Sequence, residues 1–220
     1  APGVAAGCLL IINPASEPPI PMRALMPLLE EAGVPKGLVN VLPSSKTGAM
    51  VAHLLHDPRV RVVSLTGSTG VGRKLLHAAA DQVLKPAMEL GGNAPLIVFD
   101  DADMDVAITG AMQAKMRNLG EACTAANRIY VHEKVADAFT EKFTAAMAAL
   151  KVGDGTEEGV DVGPLVNADT RDKVAHFVED AVAKGAKLHL GGKVPDGKGF
   201  FYPPTVLSNV PENAECVVDE

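Results

Sequence analysis

Apolar and polar positions alternate along the chain in a regular order of short apolar runs and longer amphipathic stretches. Cys8 to Ile12 (CLLII) is a short apolar run and reads as a strand. Pro14 to Pro21 is proline-rich and reads as a connection. Met22 to Ala32 has helical spacing and is closed by Gly33 and Pro35 in the usual stop order. Pro27 falls inside it, where proline costs about 3 kcal/mol, so a kink or a late start is expected. Leu38 to Leu42 predicts a strand, Thr47 to Leu55 a helix and Val60 to Leu65 a strand. A glycine-rich turn and a helix from about Val71 to Ala80 follow.

Short strands alternating with helices on short turns predict an α/β fold with a right-handed, doubly wound parallel sheet. The pattern changes near Gly91-Gly92, and a domain junction is placed at about residue 91. Beyond it the spacing predicts strands at Pro95 to Phe99, Asn127 to His132, Leu188 to Leu190 and Pro204 to Leu207. Helices are predicted at Asp103 to Met116, Val135 to Leu150 and Asp169 to Lys184, the last closed by Gly185.

Composition narrows the function classes. The net charge of −7 comes without a long run of one sign, which argues against a nucleic-acid surface and a polybasic membrane anchor. No apolar stretch reaches the roughly 18 residues of a membrane span. Cys8, Cys123 and Cys216 are odd in number and widely spaced, which points to a reducing, cytoplasmic setting. The six histidines show no metal-ligand spacing. The opening Ala1-Pro2-Gly3 and closing Val218-Asp219-Glu220 read as cuts through a longer protein.

Three segments carry candidate chemistry. Thr66-Gly67-Ser68-Thr69-Gly70-Val71-Gly72 lies between a predicted strand and helix. It is either a phosphate cradle at a helix N-terminus or a tight turn without a ligand. Glu89, in Met88-Glu89-Leu90-Gly91-Gly92-Asn93-Ala94-Pro95, is either a partly desolvated general base or a surface Glu at a strand end. Cys123 lies in a loop of small residues, Gly120-Glu121-Ala122-Cys123-Thr124-Ala125-Ala126. It is either an accessible thiol nucleophile or an inert buried cysteine. Arg117 and Arg128 flank that loop, and each either pairs with a structural partner or holds a substrate anion.

Read in order, TGSTGVG, ELGGNAP and GEACTAANR resemble the T-G-S-T-x-x-G, E-L-G-G-x-x-P and G-x-x-C-x-A-x-x-R motifs of the aldehyde dehydrogenase superfamily. Gly163-Pro164-Leu165 and Pro204-Thr205-Val206 add to the resemblance, which spans nearly the whole chain. It implies NAD or NADP as cofactor, a small-molecule aldehyde as substrate and a homo-oligomer when full length. It also implies an aldehyde dehydrogenase-like fold, with part of a cofactor domain over residues 1–91 and part of an α/β catalytic domain over 92–220. Cys123 would be the nucleophile and Glu89 the base. Gly67, Ser68, Gly72 and Leu90 would line the cofactor site, and Glu220 would bind the nicotinamide ribose.

ELGGNAPLIVFDDADMDVA and K-x-R-N-x-G-x-x-C-x-x-x-N-R-I-Y-V are most similar to the succinate-semialdehyde dehydrogenase branch, which implies that Arg117 contacts the substrate carboxylate. One methylene discriminates by only about 1–3 kcal/mol, so glutarate semialdehyde is the alternative substrate, and a non-catalytic fragment the alternative role. Asn13 stands where the family usually has a Lys that contacts the adenosine ribose, a change that weakens the cofactor site, for NADP most of all. Ser16 stands where NAD-preferring relatives often have Glu and lifts a repulsion against a 2′-phosphate, so NAD and NADP both stay open. The family's side-chain oxyanion donor is expected before Ala1, and its F-G-P segment and oligomerisation strand after Glu220.

Overall fold

The computed structural model describes residues 2–15 and 19–219. The chain divides into two compact units, Ala1–Glu89 and Leu90–Glu220, each with its own core.

In the first unit a short helix, α1 (Pro2–Ala5), precedes the strand β1 (Leu10–Ile12). β1 pairs in parallel with β2 (Val39–Val41), Ile11 opposite Asn40. Between them runs α2 (Ile20–Glu31). It begins earlier than the sequence suggested, because Pro21 stands in its first turn, where a missing N–H costs nothing. Pro27 stays in the helix interior, on an exposed face. α3 (Thr47–Leu55), β3 (Val62–Gly67) and α4 (Thr69–Asp81) follow. β4 (Lys85–Leu90) pairs with β3 in a two-stranded sheet. The apolar pattern did not announce β4, since Pro86 weakens the strand signal; in a two-stranded sheet both strands are edges, where proline is tolerated. Leu55, Ala79 and Leu84 form the core, with Val51, Val60, Val63 and Leu75 packed on it.

In the second unit β5 (Ala94–Val98) and β6 (Ala126–Val131) pair in parallel, with α5 (Met104–Met116) on the connection between them. Asp103 caps α5 by accepting from the N–H groups of Asp105 and Val106 at 3.0 and 3.1 Å. The two-residue period of the strands sorts their faces. Leu96, Val98, Ile129 and Val131 pack with Ala111 of α5 and with Phe139, Phe143 and Met147 of α6 (Ala136–Ala148). Ile97 and Tyr130, opposite one another, face outward and are exposed.

α7 (Ala168–Ala183) is capped by Asn167, which accepts from the Thr170 N–H at 2.9 Å. β7 (Lys187–Leu190) pairs antiparallel with β8 (Val206–Ser208). A last short helix, α8 (Glu215–Val218), is held to α7 by Asp180. Its carboxylate accepts from the Glu215 N–H at 2.8 Å and the Lys184 ammonium at 2.9 Å. These bonds, the backbone N–H first, hold the Asp180 carboxyl below the usual carboxylate range.

Candidate active site

Cys123 stands on a β-turn between α5 and β6, closed by the Ala125 N–H donating to the Ala122 carbonyl at 2.9 Å. The thiol is exposed. Among the described residues its backbone N–H donates to no acceptor. Immediately after the turn, Ala125 and Ala126 are buried, at 1% and 4% exposure, and anchor the loop as β6 begins.

On the other side the loop is held by backbone conformation. A short 3₁₀ segment (Arg117–Gly120) carries Asn118, Leu119 and Gly120 at φ 51°, 58° and 81°, three successive residues in the left-handed region. That conformation is uncommon for Asn and costly for Leu. At Gly120 a Cβ would stand 2.7 Å from Lys115 Nζ and 3.0 Å from the Lys115 carbonyl oxygen. The amine can shift but the backbone oxygen cannot. Gly120→Ala is therefore expected to destabilise the second unit by about 1–3 kcal/mol, read as a lower urea midpoint with an unchanged slope.

The two arginines beside this loop differ. Arg128 Nε donates to the Asn93 carbonyl at 2.8 Å, which makes it a structural tether. Arg117 is exposed and its guanidinium makes no hydrogen bond or ion pair among the described residues, so its planar set of donors is free for a ligand. Lys115, half-buried behind the loop, donates to Asn127 Oδ1 at 2.7 Å, and burial pushes its ammonium pKa below the ordinary lysine value.

In the first unit the glycine turn joins β3 to α4, which puts Gly67, Ser68 and Gly72 at one helix N-terminus. Ser68 is the N-cap. Its hydroxyl accepts from the Val71 N–H at 3.4 Å and its carbonyl from the Gly72 N–H at 3.0 Å. Apart from its chain neighbours and the backbone of α4 itself, nothing lies within 4 Å of where a Cβ at Gly70 would stand, so the backbone of the first helical turn is open to an approaching group. A helix N-terminus of this kind fits the phosphates of a dinucleotide. Asn13, following β1, donates through Nδ2 to the Leu42 carbonyl at 2.9 Å and ties the ends of β1 and β2 together. Glu89 lies on β4 and is exposed, so the partial desolvation its apolar neighbours suggested is not provided within this unit. Leu90, the last residue of β4, is half-buried. Ser16 and Glu220 lie outside the described residues. No group of three or more His, Cys, Asp or Glu among the described residues could hold a metal ion, and no helix there is long and apolar enough to cross a membrane.

The sequence alone assigns no role to Lys115, Asn93 or Asn127. All three lie inside the quoted motifs (K-x-R-N, ELGGNAP and C-x-x-x-N-R), so the signal is present as residue type without a partner to explain it.

Parallel strand pairs bridged by helices, with a thiol on the turn that leads into a strand, define an α/β protein of the thiol-bearing kind. The model of the aldehyde dehydrogenase family matches residues 1–220, and the chain belongs to that family. It is 51% identical over 220 residues to a succinate-semialdehyde dehydrogenase of Paenarthrobacter nicotinovorans, covering 100% of this chain and 49% of that protein. It is 47% identical over 219 residues to a glutarate-semialdehyde dehydrogenase of Pseudomonas aeruginosa, covering 100% of this chain and 45% of the relative. The crystal structure of succinate-semialdehyde dehydrogenase from Burkholderia pseudomallei superposes with a TM-score of 0.94 at 46% identity, covering 98% of this chain and 44% of that one. The chain thus spans about half the length of the curated relatives it matches.

Proposed function

We propose that the whole protein to which these 220 residues belong oxidises an ω-carboxylated aldehyde, succinate semialdehyde foremost, to the carboxylate with NAD or NADP. The observation that carries this reading is Cys123: an exposed thiol on a turn whose N–H is unspent, with an unpaired Arg117 on the same loop. Thiol attack on an aldehyde needs access to the sulfur and a donor for the developing oxyanion. The Cys123 N–H is such a donor, and one of this type is worth roughly 3–4 kcal/mol in acyl-transfer sites.

Residues 1–91 serve as part of the cofactor-binding domain and 92–220 as part of the catalytic domain. Gly67, Ser68, Gly72, Leu90, Asn13, Ser16 and Glu220 are assigned to the cofactor, whose nicotinamide supplies the hydride acceptor when bound. Cys123 holds the substrate covalently, first as thiohemiacetal and then as thioester. Glu89 takes the proton of the water that hydrolyses the thioester; its exposure on β4 leaves it reachable by water. The full-length protein acts in the cytoplasm as a homo-oligomer. Glutarate semialdehyde is the second substrate, because one methylene is a small difference for a guanidinium on a loop.

Arg117→Ala tests the substrate class. A charge-assisted hydrogen-bond pair contributes about 1.5–3 kcal/mol, so kcat/KM for succinate semialdehyde should fall about 10- to 150-fold. An uncharged aldehyde of similar length should lose little. An equal loss on both would remove Arg117 from carboxylate recognition.

A further inference from the structure

Three side chains of the second unit form a hydrogen-bond chain with one fixed direction, and a fourth, that of Arg128, bonds the backbone of Asn93. Lys115 Nζ donates to Asn127 Oδ1 at 2.7 Å. Asn127 Nδ2 donates to Asn93 Oδ1 at 2.9 Å. Asn93 Nδ2 donates to the carbonyls of Asp219 and Cys216, at 2.6 and 3.4 Å. Arg128 Nε donates to the Asn93 carbonyl at 2.8 Å.

The direction follows from the two ends. An ammonium only donates and a backbone carbonyl only accepts. Asn127 must therefore turn its oxygen to Lys115 and its amide nitrogen to Asn93. Asn93 must in turn point its nitrogen at the two carbonyls. Flipping either amide would set two donors or two acceptors face to face, so each residue fixes the rotamer of the next.

The chain reaches both sides of the nucleophile. Lys115 Nζ bonds Asn127 after Cys123 and also lies 2.7 Å from where a Cβ at Gly120 would stand, before Cys123. The other end grips the segment of α8 that runs to Asp219. Burial also lowers the Lys115 pKa, in keeping with an amine enclosed by the loop.

We propose that Asn93 is a positioning residue that couples the Cys123 loop, through Asn127 and Lys115, to the 216–219 segment. The proposal rests on the reading of Cys123 as nucleophile. It explains why an Asn stands in ELGGNAP, since one amide keeps the thiol loop and the segment leading to Glu220 in register. Asn127 acts on the loop arm, and the Asn93 amide nitrogen acts on the 216–219 arm.

The test is a split of kinetic constants in the full-length protein. Asn127→Ala cuts the loop arm. It should lower kcat about tenfold and leave the cofactor KM within about twofold. Asn93→Asp keeps an oxygen toward Asn127 but turns a carboxylate on the carbonyls of Cys216 and Asp219. It should raise the cofactor KM about tenfold with a smaller change in kcat. Asn93→Ala should show both effects, and adding Asn127→Ala to it should cost no more than about twofold further, because the two residues act as one unit. Thermal midpoints are measured beside the kinetics. If Asn93→Ala fails to fold, the comparison of Asn127→Ala with Asn93→Asp carries the same split. Constants that move together in both variants, or multiply in the double variant, overturn the coupling. Turnover that survives in Cys123→Ala would instead overturn the nucleophile assignment, a separate outcome.

Discussion

Cys123→Ala should lower aldehyde oxidation by the full-length protein on the order of 10⁴-fold or more, because loss of the nucleophile removes the covalent path altogether. The substitution is mild for the fold. Cys123 is exposed on a turn closed by Ala122 and Ala125, so removing its sulfur opens no cavity. Binding of aldehyde and cofactor should persist, since the backbone N–H at 123 and the Arg117 guanidinium are untouched. Intact-mass measurement during turnover separates the steps: the wild-type protein should carry an acyl adduct on the peptide containing residue 123, and the variant none. Cys8, also exposed, serves as the internal control for reagent access. Near-wild-type turnover in Cys123→Ala would end the covalent mechanism.

Glu89→Gln should leave the first half of the reaction and cripple the second. Water activation by a positioned base contributes about 10²–10⁴-fold, so steady-state turnover should drop by that factor. The first turnover should still release reduced cofactor in a burst of about one equivalent per site, because thioester formation does not draw on this carboxylate. Stopped-flow absorbance of the reduced nicotinamide, followed by hydroxylamine trapping of the thioester, reads both phases. A variant that loses the burst along with the steady state would move Glu89 from hydrolysis to an earlier step.

How much of this was legible in the sequence differs by residue. The helices α5, α6 and α7 follow from apolar spacing, and their boundaries fall within about two residues of expectation. Asp103 and Asn167, the caps of α5 and α7, are local signals that help fix where those helices start. β4 was not legible, because Pro86 and Lys85 spoil the strand pattern and only the partner strand β3 makes it a strand. α1 and α8, four residues each, are too short to show a period. The left-handed run at Asn118-Leu119 was hidden for another reason. Leu119 has no propensity for that conformation, and the loop imposes it against local preference.

The site divides similarly. Cys123, Glu89 and the glycine turn are visible as motifs through the resemblance to the family, whose residue types they carry in the same order. The difference between Arg117 and Arg128 is invisible in sequence; it appears only when the Asn93 carbonyl is seen to occupy one of them. The Lys115–Asn127–Asn93 chain was equally silent, since its meaning lies in which donor meets which acceptor across residues far apart in sequence.

The left-handed run before the thiol also maps where this chain can be re-engineered. Positions 118 and 119 disfavour β-branched replacements, and position 120 disfavours any side chain, so a saturation library there would yield mostly destabilised clones. Glu121 and Thr124 bracket the sulfur, are exposed, and lie outside the left-handed run. Diversity directed to those two positions offers a route to altered aldehyde scope without unsettling the loop that presents the thiol.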